Sequence, residues 1–262
     1  MKINIHAGHN PAGKIACGAV GILDESRENR KVVKRLIKLL RKEGHTVYNC
    51  TVNNGTSQSD VLKKIIKKSN AHSVTIDISV HFNSGANDKK GNGKTTGTEV
   101  IVYSLQSEPA PYAKRIADSI ASLGFTNRGV KVSMDLAVLW NKPEKALLVE
   151  CCFVDDADDA KLYNADKMAK AIAEGILGYT IYKKPLLRVN QKSKKNDIFW
   201  LQQHLDRAVK DKGGRIAVTG KWNEETTKAL LLFWKQIGWN KKGTKKGKAA
   251  GLRTLSKLSA YS

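Results

Sequence analysis

The chain has 262 residues, 41% of them hydrophobic, and a formal net charge of +22. That length suits one medium domain with a smaller companion, and the apolar content suffices for a packed core. The longest apolar runs, such as Ala229 to Trp234, stay far below the roughly 18 residues of a membrane-spanning helix, so no such helix is expected.

Residues 2–6 alternate as a strand and lead directly to His6 and His9. Two histidines at a strand end leave three readings open: metal ligands, a catalytic base with its neighbour, or ordinary loop residues. Val32, Val33, Leu36, Leu39 and Leu40 follow the 3.6 period of an amphipathic helix from Ser26 to Glu43, which Gly44 ends. His45 to Cys50 reads as a second strand, Ser57 to Ser69 as a second helix and Ser73 to Val80 as a third strand. The polar, glycine-rich stretch from Asn83 to Thr96 is long enough to be a mobile rim. Thr98 to Tyr103 follows as a strand and Pro109 to Leu123 as a helix; Lys145 to Phe153 is a central strand and Asp166 to Tyr179 a closing helix. Such alternation predicts an α/β domain, a twisted, mostly parallel sheet flanked by helices, over residues 1–182.

Residues 183–196 form a basic stretch without periodicity and read as a linker. Residues 197–262 hold three short helical patterns, a small all-α C-terminal domain; the Lys/Gly-rich run from Asn240 to Lys248 reads as a loop within it. Lys183 to Ser262 carries 20 Lys and Arg against 5 Asp and Glu, so most of the net positive charge lies there. Such a field attracts polyanions: nucleic acid, anionic lipid or anionic wall polymers.

Cys17, Cys50, Cys151 and Cys152 have no CxxC or zinc-finger spacing and read as reduced, mostly buried side chains. The start, MKINIHAGH, lacks the apolar stretch and cleavage site of a secretory signal. Synthesis in the cytoplasm, with release by another agent if the protein works outside, is therefore expected.

Candidate donors for one crevice lie at strand ends and helix starts. They are His9 after the first strand, Glu25 at the head of the first helix, His81 ending the third strand and Glu150 ending the apolar "ALLVE". A glutamate in so apolar a strand is costly unless it faces a polar site.

The ordered segments "IHAGHN", "DESREN", "SVHFNSG", "GTEVIVY", "NRGVK" and "ALLVECCFVDDADDA" resemble the zinc-dependent N-acetylmuramoyl-L-alanine amidases, above all phage endolysins of Gram-positive hosts, over residues 2 to 180. The resemblance implies that His9, Glu25 and His81 hold Zn2+, that Glu150 is the catalytic carboxylate, and that the substrate is peptidoglycan. Asn83 and Arg128, beside the matched motifs, are the candidate substrate-binding residues, whereas Glu99 reads as a structural or rim carboxylate. His45, His72 and His204 read as solvated or packing residues. The chain departs from the family's Asp-Pro-Gly-His turn, carrying His6 and Ala7 before Gly8-His9, and Asn10-Pro11 follow where a glycine is usual.

"WLQQHL", "VTGKWNEETTKALLLFWKQIGW" and "GLRTLSKL" resemble a three-helix peptidoglycan-binding module. Trp200, Trp222, Trp234 and Trp239 lie there, and any left exposed could stack on sugar faces. Anionic wall polymers are then the expected partners of its charge, not nucleic acid, with adhesion that weakens in salt. The alternatives are a zinc peptidase that cuts within the stem peptide, or an inactive wall-binding protein.

Overall fold

A computed structural model of the chain describes residues 1–240, 243 and 246–261. Lys241, Lys242, Thr244 and Lys245, part of the run read as a loop, lie outside the described residues, as does Ser262. The chain divides into two compact units, Met1–Tyr179 and Thr180–Ser262. No helix among the described residues is long and apolar enough to cross a membrane.

The first unit is built on six strands: β1 (Lys2–Ala7), β2 (Thr46–Asn49), β3 (Ile76–Asn83), β4 (Thr98–Val102), β5 (Asn127–Val132) and β6 (Ala146–Phe153), in the spatial order β2-β1-β3-β6-β4-β5. All adjacent pairs are parallel except β4 with β6, which is antiparallel. Helix α1 (Glu25–Lys42) carries the chain from β1 outward to β2, and α2 (Gln58–Asn70) brings it back past β1 to β3. Right-handed crossovers in opposite directions place these two helices on opposite faces of the sheet.

Helix α1 starts where Asp24 accepts a hydrogen bond from Arg27 N, carries Glu25 and Glu28 in its first turn, and ends on Arg41 and Lys42, matching its dipole at both ends. Its buried stripe runs through Val32, Val33, Leu36, Ile37 and Leu40. Leu39, expected in the core, is only half-buried because Ile37 takes the inward position. Helices α3 (Ala110–Ala121) and α6 (Ala165–Leu177) pack together, and α6 also packs on α1; α4 (Ala137–Trp140) sits against α2 and β6.

Two features of this unit differ from the sequence reading. Strand β5 escaped notice because it is an exposed edge strand, half polar, with Gly129 at φ 78°. The stretch 83–96, expected to be a mobile rim, is instead tied down by the acidic run that follows β6. The Asp155 carboxylate accepts hydrogen bonds from the backbone N–H groups of Gly85, Ala86 and Asn87; Asp158 accepts from Asn92 and Gly93, and Asp156 from Thr96. Asp156 also caps α5 (Ala157–Leu162), so one buried carboxylate serves both the loop and the helix.

The second unit holds α7 (Lys195–Val209), α8 (Glu224–Gln236) and α9 (Leu252–Leu258) around a core of Trp200, Leu201, Leu205, Leu230, Phe233 and Leu255. The stretch 183–196, read as a linker, belongs to this unit. It contains β7 (Val189–Asn190), which pairs with β8 (Ala249–Ala250) and buries Val189 in the core, and α7 begins at Lys195. Gln202 is fully buried and organises the turn before α8. Its Oε1 accepts from Thr219 N (2.9 Å) and Gly220 N (2.8 Å), and its Nε2 donates to Lys221 O (2.9 Å) and Thr226 Oγ1 (2.9 Å). Trp200 and Trp234 are core residues, and Trp222 and Trp239 pack half-buried against them. His204 stacks on Trp200, and His72, in the first unit, stacks on Tyr48, both packing roles as expected.

Candidate metal centre

The parallel strands β1 and β3 end side by side at a reversal of strand order, where open α/β sheets form their crevices. Beyond β1 the backbone turns sharply, and His9 has a φ of 60°, rare for a residue with a side chain. The strained turn is held from behind. Arg30 donates to His9 O (2.8 Å) and Val52 O (2.9 Å), and Asn29 to Gly8 O (3.1 Å). Asn10 stands where the family usually has glycine. It is fully buried and bonds both ways to Gly55 and to Ile15 O, pinning the loop by side-chain hydrogen bonds.

Glu25, the first residue of α1, reaches into this turn and is 3% exposed. Its Oε1 lies 3.3 Å from His9 Nε2 and 2.9 Å from His81 Nδ1, and Phe82 N donates to the same oxygen. Its Oε2 accepts from Ala19 N (2.9 Å). Burial works to raise the Glu25 pKa, but the hydrogen bonds and charges of His81 and His9 outweigh it and hold the carboxyl well below its ordinary range. Two glycines permit the close approach: a Cβ on Gly8 would fall within the His81 ring, and one on Gly18 would strike the Glu25 carboxylate and the His9 ring.

One donor atom each from His9, Glu25 and His81 lies within 4.8 Å of the other two. Tetrahedral donors about 2.0–2.1 Å from an ion stand roughly 3.3 Å from one another. The two distances to Glu25 Oε1 are close to that size and the imidazole nitrogens lie within 4.8 Å of each other, so two imidazole nitrogens and one carboxylate oxygen are near enough to share a single divalent ion.

Glu150 sits directly across from His81 in the β3–β6 pairing and from Glu99 in the β4–β6 pairing, so His81, Glu150 and Glu99 form one row on one face of the sheet. Glu150 Oε2 is buried without a hydrogen-bond partner among the described residues. Burial, reinforced by the charges of Glu25 and Glu99, pushes the Glu150 carboxyl up to about 8. Asn83 and Arg128, the two residues expected to bind substrate, converge on Glu99: Asn83 Nδ2 donates to its Oε1 (2.9 Å) and Arg128 Nε to its Oε2 (2.8 Å). The guanidinium also lies over Phe153, and the register of β3 shifts between His81 and Asn83, re-aiming Asn83.

His6 does not join the three donors. It is buried on β1, with Nδ1 3.3 Å from Ser79 Oγ and Nε2 3.6 Å from Asp77 Oδ1. Burial pushes it down to about 4 against the attraction of Asp77, helped by His81, so it is a neutral imidazole at physiological pH. His6, His9, His81 and Glu150 all line a cleft of about 340 Å³, walled by Val61, Leu62, Val138 and Leu148. All four cysteines are free thiols; burial pushes those of Cys151 and Cys152 far up, which leaves them unreactive. Arg30, Asn29 and Asn10, which shape the site, escaped the sequence reading. The signal available was the pairing of "DESREN" with the unusual "GHNP".

A family model described as N-acetylmuramoyl-L-alanine amidase matches residues 3–178. An uncharacterized protein of Clostridium perfringens (strain 13 / Type A) is 36% identical over 180 residues, covering 67% of this chain and 51% of that protein. The endolysin of Bacillus phage SPP1 is 30% identical over 181 residues, covering 65% of this chain and 61% of that one. Among solved structures, the catalytic domain of the CD27L endolysin targeting Clostridia Difficile superposes with a TM-score of 0.61 at 30% identity, over 69% of this chain and 99% of that domain. The match thus spans about half the length of the Clostridium perfringens relative.

Proposed function

The chain belongs to the N-acetylmuramoyl-L-alanine amidase family through residues 3–178, and we propose that it hydrolyses the amide bond between N-acetylmuramic acid and L-alanine in peptidoglycan. The observation that carries this reading is the His9, Glu25 and His81 cluster with Glu150 beside it in one cleft. His9 Nε2, His81 Nδ1 and a Glu25 oxygen would hold zinc, whose preference for nitrogen and oxygen donors suits this set. Bound there, zinc supplies Lewis acidity that brings the pKa of a water from 15.7 toward roughly 7 and polarises a carbonyl.

The remaining work falls to this chain's carboxylates. Glu150 takes a proton from the attacking water and delivers it to the alanine nitrogen as the carbon–nitrogen bond breaks. Burial, with the charges of Glu25 and Glu99, raises this carboxyl above the usual carboxylate range, which favours its holding the proton between the two transfers. Arg128 spends one N–H on Glu99, and the rest of its guanidinium suits a carboxylate of the stem peptide. The second unit is assigned to wall attachment, supported by its excess of Lys and Arg. The likeness to endolysins supports lysis of Gram-positive walls after release from a host cell.

Purified walls treated with the protein should release new N-terminal L-alanine without new reducing ends, and a chelator should abolish the release. Glu150→Gln should keep the metal and lose the activity. New amino termini on another residue would establish a peptidase instead, and sedimentation with walls without any release would leave only a binder.

A further inference from the structure

Trp140 is the exposed tryptophan among the described residues. It is 55% exposed at the end of α4, whereas the four tryptophans of the second unit are buried or half-buried against that unit's core. An aromatic of this size left in water is costly unless something covers it. It is also firmly mounted: the adjacent Leu139 is fully buried, and Asn141 Nδ2 donates to Asn70 Oδ1 of α2 (3.2 Å).

Trp140 faces a groove of about 740 Å³ between α4 and α2. Gln58, Leu62 and Ala137 line both this groove and the metal cleft, so the two are continuous. Gln58, Leu62 and Ile66 are spaced four apart and form one stripe on α2, about 12 Å long. The stripe leads from the metal cleft outward alongside Trp140.

We infer that the α2–α4 groove seats the glycan strand of the substrate, with Trp140 as the platform for a sugar ring. This rests on the amidase reading, in which the scissile amide separates a sugar from a peptide. The two sides of Glu150 differ in chemistry accordingly. Toward β4 and β5 lies Arg128, suited to a peptide carboxylate, and toward α2 lie an aromatic face and aliphatic side chains. A pyranose presents a face of C–H groups that the negative face of an indole attracts, and its hydroxyl and acetamido groups find Gln58, Asn141 and the Lys63 and Lys67 ammonium groups at the margin.

The test compares the full chain with Trp140→Ala and Trp140→Phe on two substrates, a tetrasaccharide bearing stem peptides and a single N-acetylmuramoyl peptide. Trp140→Ala should raise KM for the first about ten-fold with kcat retained, change it less than about two-fold for the second, and Trp140→Phe should restore most of the loss. Calorimetry with a peptide-free glycan tetrasaccharide gives a readout independent of turnover, and Trp140→Ala should weaken binding by a similar factor. Unchanged KM and binding, or an equal loss on both substrates, would overturn the inference. So would a change in self-association on sedimentation, which would mark the groove as a contact between copies. If the wild-type chain cleaves neither substrate, the amidase reading fails, and the calorimetric comparison still decides the role of Trp140.

Discussion

Glu99 on β4 lies directly opposite Glu150 on β6, two carboxylates paired across antiparallel strands. Like charges so placed repel. Here Asn83 and Arg128 hold both oxygens of Glu99, and the charge of Glu99 works with burial and Glu25 to raise Glu150.

Removing that charge should therefore lower the pKa of Glu150. Glu99→Gln keeps a side chain of the same shape, and the limb of the pH–rate profile that belongs to Glu150 should move to lower pH. A profile of kcat/KM against pH for both proteins checks this. An unmoved limb would separate Glu99 from the proton transfer.

Gly8 has no steric freedom to carry a side chain, because a Cβ there occupies the position of the His81 ring. Gly8→Ala should displace His81, destabilise the fold by about 1–3 kcal/mol as overpacking does, and abolish metal retention. Thermal melts and elemental analysis of the purified variant test both effects. Retention of the ion at wild-type stoichiometry would place His81 outside the metal centre.

The acidic run after β6 should make the 85–97 loop sensitive to acid. Burial works to raise Asp155 and Asp156, but hydrogen bonds from Asn87, Gly85 and Ala86 to the first, and from Thr96, Asp159 and Asp158 to the second, outweigh it and hold both below the ordinary 3.8. A depressed carboxylate stabilises the fold fully above its unfolded value and loses that contribution as pH falls through its folded one. Loop protection measured by hydrogen exchange should thus persist down to 3.8 and fall below it. Asp159, raised by burial, works in the opposite sense at higher pH. Asp155→Asn should release residues 85–87 already at neutral pH.

Gln202 stands at the centre of the second unit's turn, where its Oε1 accepts from both Thr219 N and Gly220 N. Gln202→Met preserves volume but leaves the buried Gly220 N–H unsatisfied, at a cost of about 1–3 kcal/mol. Denaturant unfolding should show the loss, while the metal content stays unchanged.

Periodicity located most elements to within a few residues, because helix α1 and strands β3 and β6 each bury a continuous apolar face that leaves a period in the chain. Strand β5 and the short helices α4 and α5 left none, since an edge strand and single turns bury too little to impose one. The carboxylate clamp on the 85–97 loop was equally hidden, because the backbone partners of Asp155, Asp156 and Asp158 lie 60 to 70 residues away in the chain.

The residue types at the site were set by the sequence alone. A glutamate inside an otherwise apolar strand, two histidines near strand ends and an acid heading a helix need one another to escape the cost of burial. The resemblance favoured His9 over His6, and the tertiary structure supplies the physical reason: the two differ by three positions, and a single left-handed residue turns one toward Glu25 and leaves the other against Asp77. Only the tertiary structure sent Asn83 and Arg128 to Glu99 and left Trp140 bare beside the cleft. Such outcomes depend on distances between segments far apart in the chain, and no local pattern encodes them.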